Sequence, residues 1–114
     1  MAKPLLNKLV IFGVGLIGGS FALALKRAWA VRHVVGFGRS EANLRLALKH
    51  GVIDEIGTSL SRALHDADVV LLAMPVGQMQ LVMKRIAPHL SAHTIVTDAG
   101  STKQDVVACA RKNF

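Results

Sequence analysis

Gly13, Gly15 and Gly18 form a G-x-G-x-x-G pattern between a continuous apolar run and a segment of helical period. In that setting each glycine has its own task. The first permits a tight turn, the second lets a pyrophosphate approach bare backbone, and the third lets a helix pack closely on a strand. A helix N-terminus beside them offers free N–H groups and a partial positive charge, so an anion is the natural occupant. Gly19 adds a fourth glycine inside the helix. It costs on the order of 1 kcal/mol there relative to Ala, which predicts a close approach to that face.

A second group concerns which dinucleotide would fit. A unit that binds NAD usually places Asp or Glu about 20 residues beyond the glycines, to hold the ribose 2′-hydroxyl. Here the corresponding text is Gly36-Phe37-Gly38-Arg39-Ser40, with no acid at its last three positions. Gly38 leaves room, Arg39 can fork onto a phosphate, and the Ser40 hydroxyl adds a donor at a helix start. These residues favour NADP, with NAD as the alternative. A bland reading of Arg39, as an exposed loop arginine, competes with this one.

Other chemistry-bearing side chains lack partners in the sequence. The five histidines stand apart, and Pro88 and Ser91 argue against a continuous helix that would bring His89 and His93 together, so no metal site is expected. Cys109 is the only cysteine, which rules out an intrachain disulfide and suits a reducing cytosol. It reads as a small buried side chain. Met74, Met79 and Met83 read as core.

The elements that must position these residues alternate. Lys8 to Phe12, His33 to Phe37, Asp68 to Met74 and Thr94 to Ala99 read as buried strands. Helical period runs from Leu16 to about Trp29, with Ile17, Phe21, Ala24, Leu25 and Ala28 at helical spacing. Ser40 is a plausible cap for a helix to His50, with Gly51 as its stop. Ser59 to Ala67 reads as a short helix, Val76 to Leu90 as one with Met79, Val82, Met83 and Ile86 on one face, and Thr102 to Lys112 as a last one. Trp29 is odd at a helix exit, where glycine would be easier. Strands and helices in alternation, with continuous β-branched runs, predict a parallel sheet covered on both faces.

The bulk numbers agree with one small domain of 114 residues, 52% hydrophobic and 18% charged. The net charge of +7 is scattered in pairs such as Lys26-Arg27, Lys84-Arg85 and Arg111-Lys112, without interleaved aromatics. That reads first as a solvated surface, with a contribution to attracting a phosphorylated ligand as the alternative, and no nucleic acid is expected as a partner. No apolar run reaches the roughly 18 residues of a membrane span, and the N-terminus shows no signal peptide, so a cytoplasmic location is expected.

Three passages together, Gly13-Val14-Gly15-Leu16-Ile17-Gly18-Gly19-Ser20, Ala67 to Val76 and Thr97 to Val107, resemble the prephenate/arogenate (cyclohexadienyl) dehydrogenase family of tyrosine biosynthesis. The resemblance runs from Leu9 to about Val107, and Asp98-Ala99-Gly100-Ser101-Thr102-Lys103 is among its most specific parts. It implies a Rossmann-like, doubly wound, mostly parallel sheet with helices on both faces. It implies oxidative decarboxylation of a cyclohexadienyl substrate, prephenate or arogenate, with hydride passing to a nicotinamide. Carried over by position, Gly13, Gly15, Gly18 and the Leu16 and Ile17 amides would hold the pyrophosphate. Arg39 and Ser40 would meet the adenosine ribose. Met74, Pro75 and Val76 would line the cleft. Ser101 matches the family serine near the nicotinamide and the substrate hydroxyl, and is the expected catalytic residue.

The sequence departs from the family after that. The catalytic histidine of a Gly-His-Pro motif and the helical domain that completes the substrate site and a homodimer do not occur up to Phe114. Residues 1–114 are therefore expected to be the dinucleotide-binding domain of a longer enzyme, able to bind cofactor and inactive alone. Alternatives are a non-catalytic dinucleotide sensor, the cofactor domain of another β-hydroxyacid-type dehydrogenase or, on charge alone, a nucleic-acid binder.

Overall fold

The computed structural model describes residues 5–98, with only the backbone of Leu16, Ile17 and Val76. Its centre is the strand β1 (Leu6–Phe12), whose Leu9, Val10, Ile11 and Phe12 are buried in succession. Four buried residues in a row need cover on both faces of the sheet. The elements that follow are α1 (Leu16–Arg27), β2 (Val31–Phe37), α2 (Glu41–Lys49), β3 (Glu55–Ile56), α3 (Leu60–Leu64), β4 (Val69–Leu72), α4 (Val76–Ile86), a 3-10 turn (Ala87–His89) and β5 (Ile95–Asp98).

All the strand pairings are parallel, in the order β3-β2-β1-β4-β5. Phe12 lies beside Phe37 on β2 and Leu72 on β4, so all three strands end level around β1. Alternate side chains go to opposite faces. Val10, Phe12, Val35, Val70 and Leu72 join Leu64, Met79, Met83 and Ile86 of α3 and α4 in one core. Leu9, Ile11, Val34 and Leu71 join Ala22 and Leu44 of α1 and α2 in the other. This is the doubly wound α/β architecture expected from the alternation of elements, with a sheet that is parallel throughout.

Local polar contacts set the element ends. Ser40 Oγ accepts from the Asn43 amide at 3.2 Å and caps α2, while Gly51 takes φ +73° beyond its end. Lys8 Nζ donates to the Arg62 and His65 carbonyls at 3.1 and 2.9 Å, satisfying the open end of α3. Asp54 accepts from Lys26 Nζ at 2.6 Å and from the Val34 amide at 2.8 Å, which ties α1 to the start of β3 and the middle of β2.

Several expectations need correction. The sheet has a fifth strand, β3, missed because two residues at an edge carry no readable alternation. The buried face of α1 is Gly18, Ala22 and, in part, Leu25, while Phe21, Ala24 and Ala28 lie outward. Small residues rather than large ones face the sheet, because the helix approaches it closely. Helix α1 ends at Arg27, and Trp29 leaves it at φ +56°, the left-handed geometry that makes its position unusual. Helix α3 covers only Leu60–Leu64, with Ser59 as its cap. Helix α4 stops at Ile86, and Pro88 falls in the 3-10 turn that follows. The expected helix from Thr102 to Lys112, with Ser101 and Cys109, lies outside the described residues.

Candidate functional site

The strand order reverses direction at β1 and β4, and the carboxyl ends of these strands open a crevice, the usual ligand position in such sheets. Gly13 follows β1, Gly38 to Ser40 follow β2, and Met74 and Pro75 follow β4. Three segments far apart in sequence therefore meet at one edge.

The glycines behave differently when a Cβ is imagined on each. At Gly13 the backbone has φ +93°, and a Cβ would overlap the Ala73 carbonyl oxygen. At Gly18 a Cβ would sit 2.6 Å from the Gly13 oxygen and 3.2 Å from Ile11 Cγ2. Gly15 is the opposite case. It has an extended backbone, φ −123°, and among the described residues nothing lies within 4 Å of its Cβ position. Gly13 makes the turn, Gly18 brings the helix onto the strand, and Gly15 leaves open space in front of α1. Leu16 and Ile17 form the first turn of that helix, where N–H groups have no intrahelical acceptor. Bare backbone, open space and a helix N-terminus together fit a pyrophosphate.

Gly19 corrects an expectation. Its Cβ would meet Val52 Cγ1 at 3.6 Å, an ordinary contact, so none of the described residues requires glycine there. Gly36, not singled out in the sequence, does need its small size. A Cβ on it would lie 2.8 Å from Val14 Cγ2, so it lets the glycine loop settle over β2.

Two adjoining cavities share this edge. The smaller, about 280 Å³, is lined by Gly13, Gly15, Arg39, Ser40, Met74 and Pro75, with Asn43 and Gln78. It thus gathers most of the residues named from the sequence. Val76 opens α4 directly behind Pro75. The larger, about 580 Å³, has Phe12 and Phe37 in its lining, stacked with centroids 4.9 Å apart and planes 7° apart. Leu60 lines it, as do Gln78, Leu81, Val82 and Arg85 along α4. Gly13, Gly38, Arg39, Met74 and Gln78 line both. Among the described residues, no carboxylate lines either cavity.

Sequence reasoning missed Gln78, Asn43 and Arg85. Asn43 comes in with the first turn of α2, beside Ser40, whereas Gln78 and Arg85 reach the crevice only through the strand order, which sets α4 opposite the end of β2. Among the described residues, no cluster of three metal-ligating side chains occurs. None of their helices is long and apolar enough to cross a membrane.

The fold and this crevice define a nucleotide-binding α/β domain. Residues 21–114 match the family model described as prephenate dehydrogenase, nucleotide-binding domain, and the chain belongs to that family. It is 36% identical over 110 residues to prephenate dehydrogenase of Lactococcus lactis subsp. cremoris, covering 96% of this chain and 30% of that protein. Among solved structures, it is similar to prephenate dehydrogenase from A. aeolicus in complex with hydroxyphenyl propionate and NAD+. There the TM-score is 0.81 with 31% identity, over 95% of this chain and 40% of that one. It is also similar to Synechocystis arogenate dehydrogenase, with TM-score 0.83 and 31% identity over 94% of this chain and 37% of that one. The chain thus spans between about three-tenths and two-fifths of the length of these relatives.

Proposed function

We propose that the chain binds a nicotinamide dinucleotide in this crevice, NADP in preference to NAD, as the cofactor domain of a prephenate or arogenate dehydrogenase. The observation that carries the cofactor preference is Arg39, which lines both cavities at the end of β2 with no carboxylate among the described lining residues. A 2′-phosphate on the adenosine ribose would find a guanidinium there and no repelling charge. The pyrophosphate belongs over Gly15 and the first turn of α1, and the base belongs in the larger cavity beside the stacked phenylalanines. Arg39 and Ser40 sit between those two places. Met74 and Pro75 close the crevice from the β4 side.

Within the longer enzyme, the bound nicotinamide supplies the hydride acceptor for oxidative decarboxylation of the cyclohexadienyl ring. The work of this chain is to fix the dinucleotide, turn its reactive face outward and shield it from water. By its match to the family serine, we assign Ser101, three residues beyond Asp98 in the sequence, the role of the residue that acts near the nicotinamide and the substrate hydroxyl. The substrate, a small dicarboxylate or amino acid, and a homodimeric, cytoplasmic enzyme complete the reading. Support comes from the family membership and from the A. aeolicus relative, whose structure holds NAD+ and hydroxyphenyl propionate.

Calorimetric titration of the chain with NADP+, NADPH, NAD+ and NADH tests this directly. Tighter binding of the phosphorylated pair is expected. Equal affinity for NAD+ and NADP+ would remove the preference and leave Arg39 a surface residue.

A further inference from the structure

Arg39 is not a free side chain above the crevice. With the Gln78 carboxamide turned so that its oxygen faces the guanidinium, the orientation that hydrogen bonding selects, Oε1 accepts from Nη2 at 3.1 Å and from Nη1 at 3.2 Å. One oxygen placed between the two terminal nitrogens occupies the head-on edge of the guanidinium. Nε–H and an outer Nη–H on the lateral edge stay available. That edge can take a phosphate through two parallel hydrogen bonds.

The partner is neutral, and that matters. Glu41, two residues beyond Arg39, is engaged with Arg45 at 2.8 Å. Gln78 therefore holds the guanidinium in place without cancelling its charge. Gln78 is itself half-buried in the first turn of α4, where its backbone N–H donates to the Pro75 carbonyl at 2.9 Å. The bridge spans from the loop after β2 to the helix after β4, and both its residues line both cavities.

We infer that Gln78 is a positioning residue for cofactor choice: it pre-orients Arg39 so that a ribose 2′-phosphate meets an ordered, fully charged fork. The inference rests on the reading of Arg39 given under Proposed function. Pre-ordering one long side chain changes affinity by roughly three- to tenfold. The effect should fall on NADP+ alone, because NAD+ presents no phosphate to Arg39.

The test is a set of dissociation constants for NADP+ and NAD+, measured by calorimetry at one salt concentration. The proteins are the 114-residue chain and its Gln78→Ala, Gln78→Glu, Arg39→Ala and Arg39→Ala/Gln78→Ala variants. Circular dichroism and thermal midpoints establish that each is folded. Gln78→Ala should weaken NADP+ about three- to tenfold and leave NAD+ within about twofold. Gln78→Glu should weaken NADP+ further, because a carboxylate there neutralises Arg39 and faces the phosphate. In the Arg39→Ala background, Gln78→Ala should change nothing more. Unchanged or tighter NADP+ binding by Gln78→Ala overturns the inference, since Gln78 would then be idle or a competitor. Equal losses for both cofactors overturn it too, as a structural role of the α4 end. If Arg39→Ala leaves the NADP+ to NAD+ ratio unaltered, the reading of Arg39 falls instead, and the role of Gln78 falls with it.

Discussion

Gly13 stands directly against the backbone of Ala73, so closely that a Cβ on Gly13 would overlap the Ala73 carbonyl oxygen. The contact joins the ends of β1 and β4, the neighbouring strands at which the strand order reverses and the crevice opens. Because the backbone of Gly13 is also at φ +93°, an L-residue there is both strained and obstructed. Gly13→Ala should therefore destabilise the domain by at least about 2 kcal/mol. Denaturant titration followed by circular dichroism reads this. A mutant within about 0.5 kcal/mol of wild type would mean that the loop is free to rearrange.

Gly15 should respond in the opposite way. Its backbone is extended and its Cβ position is open, so Gly15→Val should fold with nearly wild-type stability. The added methyl groups would stand where the pyrophosphate belongs, and cofactor affinity should fall by 100-fold or more, on the order of 3 kcal/mol. The pair separates the glycine that the fold needs from the glycine that the ligand needs. A folded Gly15→Val that binds cofactor as wild type does would move the pyrophosphate elsewhere.

The sequence made some of this legible and concealed the rest for physical reasons. Strands β1 and β2 and the buried Met79 and Met83 were readable, because burial on two faces leaves continuous apolar text and burial on one leaves a helical stripe. Helix α1 misled. Its inward face is made of Gly18 and Ala22, and a close approach selects small residues, which a search for large apolar side chains overlooks. The Arg39 end of the crevice could be anticipated from its distance to the glycines. Gln78 could not, since its place depends on β4 lying next to β1, a pairing that no local pattern encodes.

Trp29 offers a test of backbone strain far from the crevice. It takes φ +56° at the exit of α1, and the residue is 79% exposed. The left-handed conformation costs a residue with a Cβ about 1–2 kcal/mol. Glycine is free of that cost but loses more entropy on folding, roughly 0.5–1 kcal/mol. An exposed ring has little packing to lose. Trp29→Gly should accordingly raise stability by about 0.5–1 kcal/mol, visible as an upward shift of the denaturation midpoint. A clear loss would show that the indole covers apolar surface.

Cofactor choice can be reversed at the end of β2. Gly38 is not in the left-handed region, and a Cβ there would contact the Leu44 side chain at 3.5 to 3.9 Å, which is ordinary van der Waals distance. An aspartate therefore fits the backbone. Its carboxylate would accept from ribose hydroxyls and repel a 2′-phosphate. Arg39→Ala removes the charge that would attract that phosphate, and a hydrogen bond to a charged group is worth about 1.5–3 kcal/mol. At about 1.4 kcal/mol per decade, wild type should favour NADP+ over NAD+ roughly ten- to a hundredfold. Arg39→Ala should lose most of that preference by weakening NADP+ while NAD+ holds. Gly38→Asp should invert it, with NAD+ gaining as well as NADP+ losing. Dissociation constants at two salt concentrations give a further check. The NADP+ preference of wild type should shrink as salt rises, because exposed charge contacts are screened within about 10 Å at 0.1 M. A preference that ignores both salt and Arg39 would have to come from the shape of the larger cavity.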